Sequence, residues 1–123
     1  MKNFKENNTE ATVKAVGFIK SRKSDDKIMN MAAAMYKVAG KLDVDMLEVI
    51  VDAGASADID RESIDELYSY IENNDVDVVF IQSMGSITND ADDFVKFLYF
   101  LDAHDMLIVD MEQGARPLIP IYK

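Results

Sequence analysis

Four short β-rich apolar runs alternate along this chain with three stretches of helical periodicity, and few folds accommodate that order. The runs are Thr12–Ile19, Met46–Val51, Val76–Ile81 and Met106–Val109. After the first run, Ile28, Met31, Met35 and Val38 recur at three- and four-residue spacing, which places them on one helix face. Ser24 precedes that helix as a cap, with Asp25 and Asp26 in its first turn, and Gly40 is the expected stop. Ile64, Leu67, Tyr68 and Ile71 predict a second helix over about Glu62 to Asn73. Phe94, Phe97, Leu98 and Leu101 predict a third over Asp90 to Ala103. Gln82 to Asn89 reads as a polar loop. Strands separated by helices of this length run parallel and are covered on both faces. The expected fold class is α/β: a three-layer α/β/α sandwich around a mostly parallel sheet of four to five strands. Residues 1–11 read as a flexible lead, 12–112 as the domain, and 113–123 as an extended tail. Pro117 and Pro120 lack amide hydrogens, so that tail supplies at best an edge strand.

Composition narrows the chemistry. A chain of 123 residues fits one compact domain. Cysteine is absent, which excludes disulfides, thiol catalysis and cysteine metal sites. One histidine, His104, cannot build a histidine metal cluster and reads as a residue at a helix C-terminus. No metal and no cofactor are expected. No apolar run approaches the roughly 20 residues of a bilayer span, so no membrane role is expected and the cytoplasm is the default setting. The net charge is −10, unevenly spread. Seven bases lie between positions 13 and 41, whereas positions 42–115 hold nineteen acids against two bases, Arg61 and Lys96. DNA affinity comes largely from Lys and Arg on phosphates, so only the stretch from Lys20 to Lys27 suits a duplex. That cluster reads equally well as a solvated loop and first helical turn.

In open α/β sheets, ligands gather at the carboxyl ends of the strands. Three loops qualify: Lys20 to Asp26, Asp52 to Arg61, and Gln82 to Asp90. The acid pairs Asp25-Asp26 and Asp92-Asp93 suit helix N-termini better than metal or phosphoacceptor sites. A response-regulator receiver requires acids where Lys20 and Gln82 stand. A dinucleotide or flavin site requires a glycine-rich turn where the chain has Ser21-Arg22-Lys23-Ser24. The eight methionines read as core filling.

The stretch Asp52-Ala53-Gly54-Ala55-Ser56-Ala57-Asp58-Ile59-Asp60-Arg61-Glu62 resembles the second conserved block of the serine site-specific recombinases, the resolvase/invertase family. The resemblance covers about positions 13 to 112. It implies that family's catalytic-domain fold and a role in site-specific DNA recombination. In the family, a serine after the first strand attacks a DNA phosphodiester and arginines from three loops hold the phosphate. The family's first block reads Gly, aromatic, any residue, Arg, any residue, Ser. Here it reads Gly17-Phe18-Ile19-Lys20-Ser21-Arg22. Lys20 replaces an arginine, which keeps the charge and loses the bidentate fork. Arg22 stands at the nucleophile position, and Ser21 comes one residue early, a step that reverses the face of a strand. Asp52, Arg61 and Glu62 match the second block, while its serine-glycine pair reads Ala55-Ser56. In the third block, of the form Asp-Arg-Leu-x-Arg, the chain has Gly85-Ser86-Ile87-Thr88-Asn89, and both arginines are neutral residues. Each cation lost at a phosphate removes about 3–4 kcal/mol of transition-state stabilisation.

Three readings follow. In the first, the domain has lost the reaction and acts through protein contacts, as a homodimer or a partner of an active recombinase on a mobile element, with weak or indirect DNA binding. In the second, a divergent core still cleaves DNA, with Ser21 as nucleophile and Lys20, Arg22 and Arg61 on the phosphate. In the third, a small anion occupies the strand-end crevice, bound by Arg61, Ser21, Ser24, Ser56, Ser83 and Thr88. For Arg61, a surface ion pair with Asp58 or Asp60 is as well motivated as a phosphate contact.

Overall fold

The computed structural model describes residues 12–113 and 116–118. The lead, residues 1–11, and the remainder of the tail lie outside them. In chain order the elements are β1 (Lys14–Lys20), α1 (Asp25–Lys41), β2 (Asp45–Asp52), α2 (Glu62–Asn74), β3 (Val78–Ile81), α3 (Met84–Ile87), α4 (Ala91–Ala103), β4 (Leu107–Asp110) and β5 (Arg116–Leu118). The sheet order is β2-β1-β3-β4-β5. The first four strands are parallel, and β5 lies antiparallel on β4, with Ile108 opposite Leu118 and Asp110 opposite Arg116.

Alternation along the strands divides the core between two faces. Ala15 and Ile19 of β1 pack with Met35 and Ala39 of α1, together with Phe80 and Val109. Val16 and Phe18 point the other way, into a larger cluster with Ile64, Leu67 and Ile71 of α2 and Phe97 and Leu101 of α4. Helices on both faces of a parallel sheet give the three layers expected. The reversal of strand order falls between β1 and β3, so the loops leaving their carboxyl ends border the crevice where such folds bind ligands.

Local chemistry explains most element boundaries. Ser24 caps α1, its side chain accepting from the Lys27 N–H, and Asp90 caps α4 by accepting from Asp93 N–H. Two expectations need correction. Gly40 does not stop α1: the helix runs to Lys41, and Asp43 takes the left-handed conformation at φ 59° that ends it. Asp75 closes α2 in the same way, at φ 56°. Gln82 to Asn89 is not all loop, because α3 forms within it. Ser83 and Ser86 make a reciprocal capping box there, and the Ser83 N–H donates to Ser86 Oγ at 3.3 Å. Among the described residues, no helix is long and apolar enough to cross a membrane.

Candidate functional site

The carboxyl end of β2 delivers Asp52 to the α2 side of the sheet, the face shared by Ile50 and Phe18. Asp52 is buried, and its carboxylate accepts three hydrogen bonds. Oδ2 accepts from Arg61 Nε at 2.7 Å and from Ser63 Oγ at 2.7 Å, and Oδ1 accepts from Gly54 N–H at 2.8 Å. The Lys20 ammonium stands 3.8 Å from Oδ2 and donates to the Gly54 carbonyl at 2.6 Å. Burial alone would raise the Asp52 pKa. The hydrogen bonds from Ser63, Arg61 and Gly54 and the Lys20 charge outweigh it, so the carboxyl is held below the ordinary carboxylate range.

Arg61 sits at the N-cap position of α2 without capping it through its side chain. Its guanidinium instead spans two loops. Besides Asp52, one terminal nitrogen donates to the Asp58 carbonyl at 2.6 Å and the Ile87 carbonyl at 2.7 Å, and the other donates to the Ser86 carbonyl at 2.7 Å. The last two acceptors are carbonyls at the end of α3, which a four-residue helix leaves without internal partners. A guanidinium has five N–H donors, and four are committed here. The side chain is only 8% exposed, and the guanidinium lies 5.9 Å from the centroid of the Phe18 ring.

Ser21 lies just past the end of β1, and its N–H continues the ladder by donating to the Asp52 carbonyl at 2.9 Å. Lys20 shares the α2 face with Asp52 and Arg61. Continued alternation therefore turns Ser21 toward the α1 face. Ser21 is buried, and its Oγ accepts from the Lys23 N–H at 3.1 Å. Arg22 is exposed. The other hydroxyls of the crevice have similar local duties. Ser24 Oγ accepts from Lys27 N–H, Ser56 Oγ from Asp58 N–H, and Thr88 Oγ1 from Asp90 N–H. The structure thus brings Lys20 and Arg61 together on Asp52 and leaves Ser21 and Arg22 outside that cluster.

Two open clefts flank it. One, of about 390 Å³, runs along Val51 to Ser56 and the start of α2, and Glu62 and Glu66 line it. The other, of about 360 Å³, is bordered by Asp58, Thr88, Asn89, Asp90 and Asp93. Carboxylates line both, and Arg61 also borders the first. Among the described residues, no group of three or more His, Asp or Glu is arranged to hold a metal ion. The sequence motif omits Ser63, which completes the Asp52 cluster. Its spacing, two residues after Arg61 on the first turn of α2, is the only sign of it in the chain.

No protein-family model and no curated protein matches this sequence. Solved structures do match. The N-terminal catalytic domain of TP901-1 integrase superposes with a TM-score of 0.71 at 17% identity, over 85% of this chain and 80% of that one. The C-terminal catalytic domain of ISC1926 TnpA, an IS607-like serine recombinase, gives 0.71 at 18% identity, over 80% and 70%. The chain has the fold of a serine recombinase catalytic domain. A resolvase family site-specific recombinase from Streptococcus pneumoniae agrees, with a TM-score of 0.68 at 14% identity, over 86% of this chain and 76% of that one. Within this recombinase fold, the loops after β1, β2 and β3 are the three that carried the resemblance in sequence. The third is tied to the second by Arg61.

Proposed function

We propose that this chain is a recombinase-type domain associated with site-specific DNA recombination that does not itself cleave DNA and acts in the cytoplasm through protein contacts. The observation that carries this reading is the commitment of Arg61. A cation that holds a phosphate must offer its N–H groups to phosphate oxygens. Four of the five on Arg61 are bound to Asp52, Asp58, Ile87 and Ser86 within the protein. Lys20 is drawn to the same carboxylate and to the Gly54 carbonyl. The sites where the resemblance calls for two further arginines hold Ser86, turned inward as a cap, and exposed Asn89. Electrostatic stabilisation dominates phosphoryl transfer, and little of it remains. DNA contact is accordingly weak or indirect.

The test is to incubate the protein with supercoiled plasmid and random-sequence duplexes and to look for a covalent protein–DNA adduct on denaturing gels. Duplex binding is followed by fluorescence anisotropy as salt is raised. The expected result is no adduct and no binding at about 0.15 M salt, where even charge-driven association is strongly screened. An adduct that disappears in Ser21→Ala would replace this reading with that of a divergent active core.

A further inference from the structure

We propose that the tail beyond β5, Ile119 to Tyr122, docks in an apolar groove at the amino ends of the strands and covers the part of the sheet that α1 leaves open.

The two faces of the sheet are unequally covered. α2, α3 and α4 supply Ile64, Leu67, Ile71, Ile87, Phe97 and Leu101 to one face. Among the described residues, α1 is the one helix packed on the other, where it lies over β1 and β2. Beside the end of α1, toward β3 and β4, a groove of about 200 Å³ opens. It is lined by Val13, Leu42, Val44, Val78, Leu107 and Val109, all aliphatic. Val13 and Leu42 are 42% exposed and Leu107 is 41% exposed. Single exposed apolar residues need no explanation, but three around one concavity form a patch whose burial is favourable.

Three observations make the tail the occupant. The first is direction. β5 runs antiparallel to β4, with Asp110 opposite Arg116 and Ile108 opposite Leu118. It therefore leads toward the amino end of β4, where Leu107 lines the groove. The second is register. One further pair would set Ile119 opposite Leu107, and residues directly opposite share a face of the sheet. Leu107 alternates onto the α1 face with Val109. Ile119 and, by the same alternation, Ile121 are thus the tail residues aimed at the groove. The third is Pro120. It has no amide hydrogen to extend a ladder, and β4 itself begins at Leu107. The chain is free to leave the edge there and cross the groove. Three residues span about 10 Å, close to two strand spacings, which is enough to carry Tyr122 from the line of β5 to that of β3.

The composition suits the place. Leu118-Ile119-Pro120-Ile121 is apolar throughout and is followed by an aromatic, Tyr122. The lead, which enters at Val13, is mostly polar, with Met1, Phe4 and Ala11 as its apolar residues. Docked in the groove, the tail shields this surface from other proteins. The groove lies at the opposite end of the strands from Asp52 and Arg61, so the contact is independent of the chemistry read from that cluster.

The test is NMR on the full chain with labelled methyl groups. Nuclear Overhauser contacts are expected from Ile119 and Ile121 to Leu107 and Val78. Ile121→Lys should abolish its own contacts and lower the thermal midpoint by about 3–6 °C. Val95→Lys, at an exposed site on α4, should leave both unchanged. The contacts are sought in the unmodified chain, so the result does not hang on whether a variant folds. Their absence overturns the proposal, as does an unmoved midpoint in Ile121→Lys. Contacts to the groove from Phe4 instead, or tail contacts seen only between differently labelled copies in a mixed sample, also overturn it, because each names another occupant.

Discussion

Arg61 Nε donates to Asp52 Oδ2 at 2.7 Å, and the same guanidinium closes the open carbonyl end of α3. The contact joins the end of β2 to the loop after β3, across the crevice that the reversal of strand order creates. Removing Arg61 therefore releases more than a surface ion pair. Arg61→Ala leaves Asp52 buried with only Lys20 as a cationic neighbour and strands the carbonyls of Ser86 and Ile87. Breaking a buried pair by removing one partner costs about 3–5 kcal/mol. Arg61→Lys keeps the charge but reaches one acceptor group rather than four, and should recover less than half of that loss. Urea unfolding followed by circular dichroism measures both, and a loss below about 1 kcal/mol, the worth of an exposed pair, would show that the guanidinium is not held as described.

The depressed pKa of Asp52 fixes a sign for acid stability. The unfolded carboxyl titrates near about 3.9, and the folded one titrates lower, because Ser63, Arg61, Gly54 and Lys20 outweigh the effect of burial. Between the two values the unfolded state binds more protons than the folded state, so stability rises with pH there. The Asp52 contribution is complete above about pH 5 and fades as pH falls through the folded value. Unfolding free energies measured from neutral pH downward should show that slope. Asp52→Asn should lower stability at neutral pH and flatten the acid limb.

Much of this fold was legible in the chain. Apolar runs and helical spacings located all four parallel strands and three of the helices, because burial of one face dictates both patterns. Strand ends moved by one or two residues, since sheet partners set them: Asp45 joins β2 through the Val13 carbonyl, and Asp110 joins β4 opposite Arg116. Two things were not legible. α3 is one turn held by a two-serine capping box and by an arginine more than twenty positions earlier, and no local periodicity signals that. Gly40 looked like a terminator by type, whereas Asp43 supplies the left-handed residue three positions on. At the site, motif matching found Asp52 and Arg61 as residues. It did not give their relation, because whether a guanidinium faces a ligand or a carbonyl depends on loops that meet only in the fold.

Two glycines should respond oppositely to alanine. A Cβ on Gly17 would lie 2.9 Å from Met35 Sδ and 3.0 Å from Val49 Cγ2, and Met35 is fully buried with little room to yield. Overpacking of this kind costs about 1–3 kcal/mol. Gly40 is exposed inside α1, and nothing lies within 4 Å of its added Cβ. Gly40→Ala should stabilise by about 0.5–1 kcal/mol, the helix penalty of glycine. Thermal unfolding of the two variants would separate them. A stabilising Gly17→Ala would mean that α1 does not pack on β1 as described.

Arg22→Ser restores a serine at the position where the resemblance expects the nucleophile, and we expect it to restore no cleavage. A hydroxyl there would still lack the charge that phosphoryl transfer needs. Arg61 is bound to four protein acceptors, Lys20 is held by Gly54 and Asp52, and Ser86 and Asn89 stand in place of two arginines. Losing one such donor costs about 10²–10³ in rate, and the absences compound. Trapping experiments on supercoiled plasmid with Arg22→Ser should therefore match the unmodified chain. If Arg22→Ser alone yields a covalent adduct, the crevice retains enough electrostatic stabilisation for strand cleavage, and the missing serine would be the whole of the defect. Combining Arg22→Ser with Ser86→Arg and Asn89→Arg is the stronger form of the test. Ser86 is buried and closes the α3 cap, so this variant should lose stability before it gains activity.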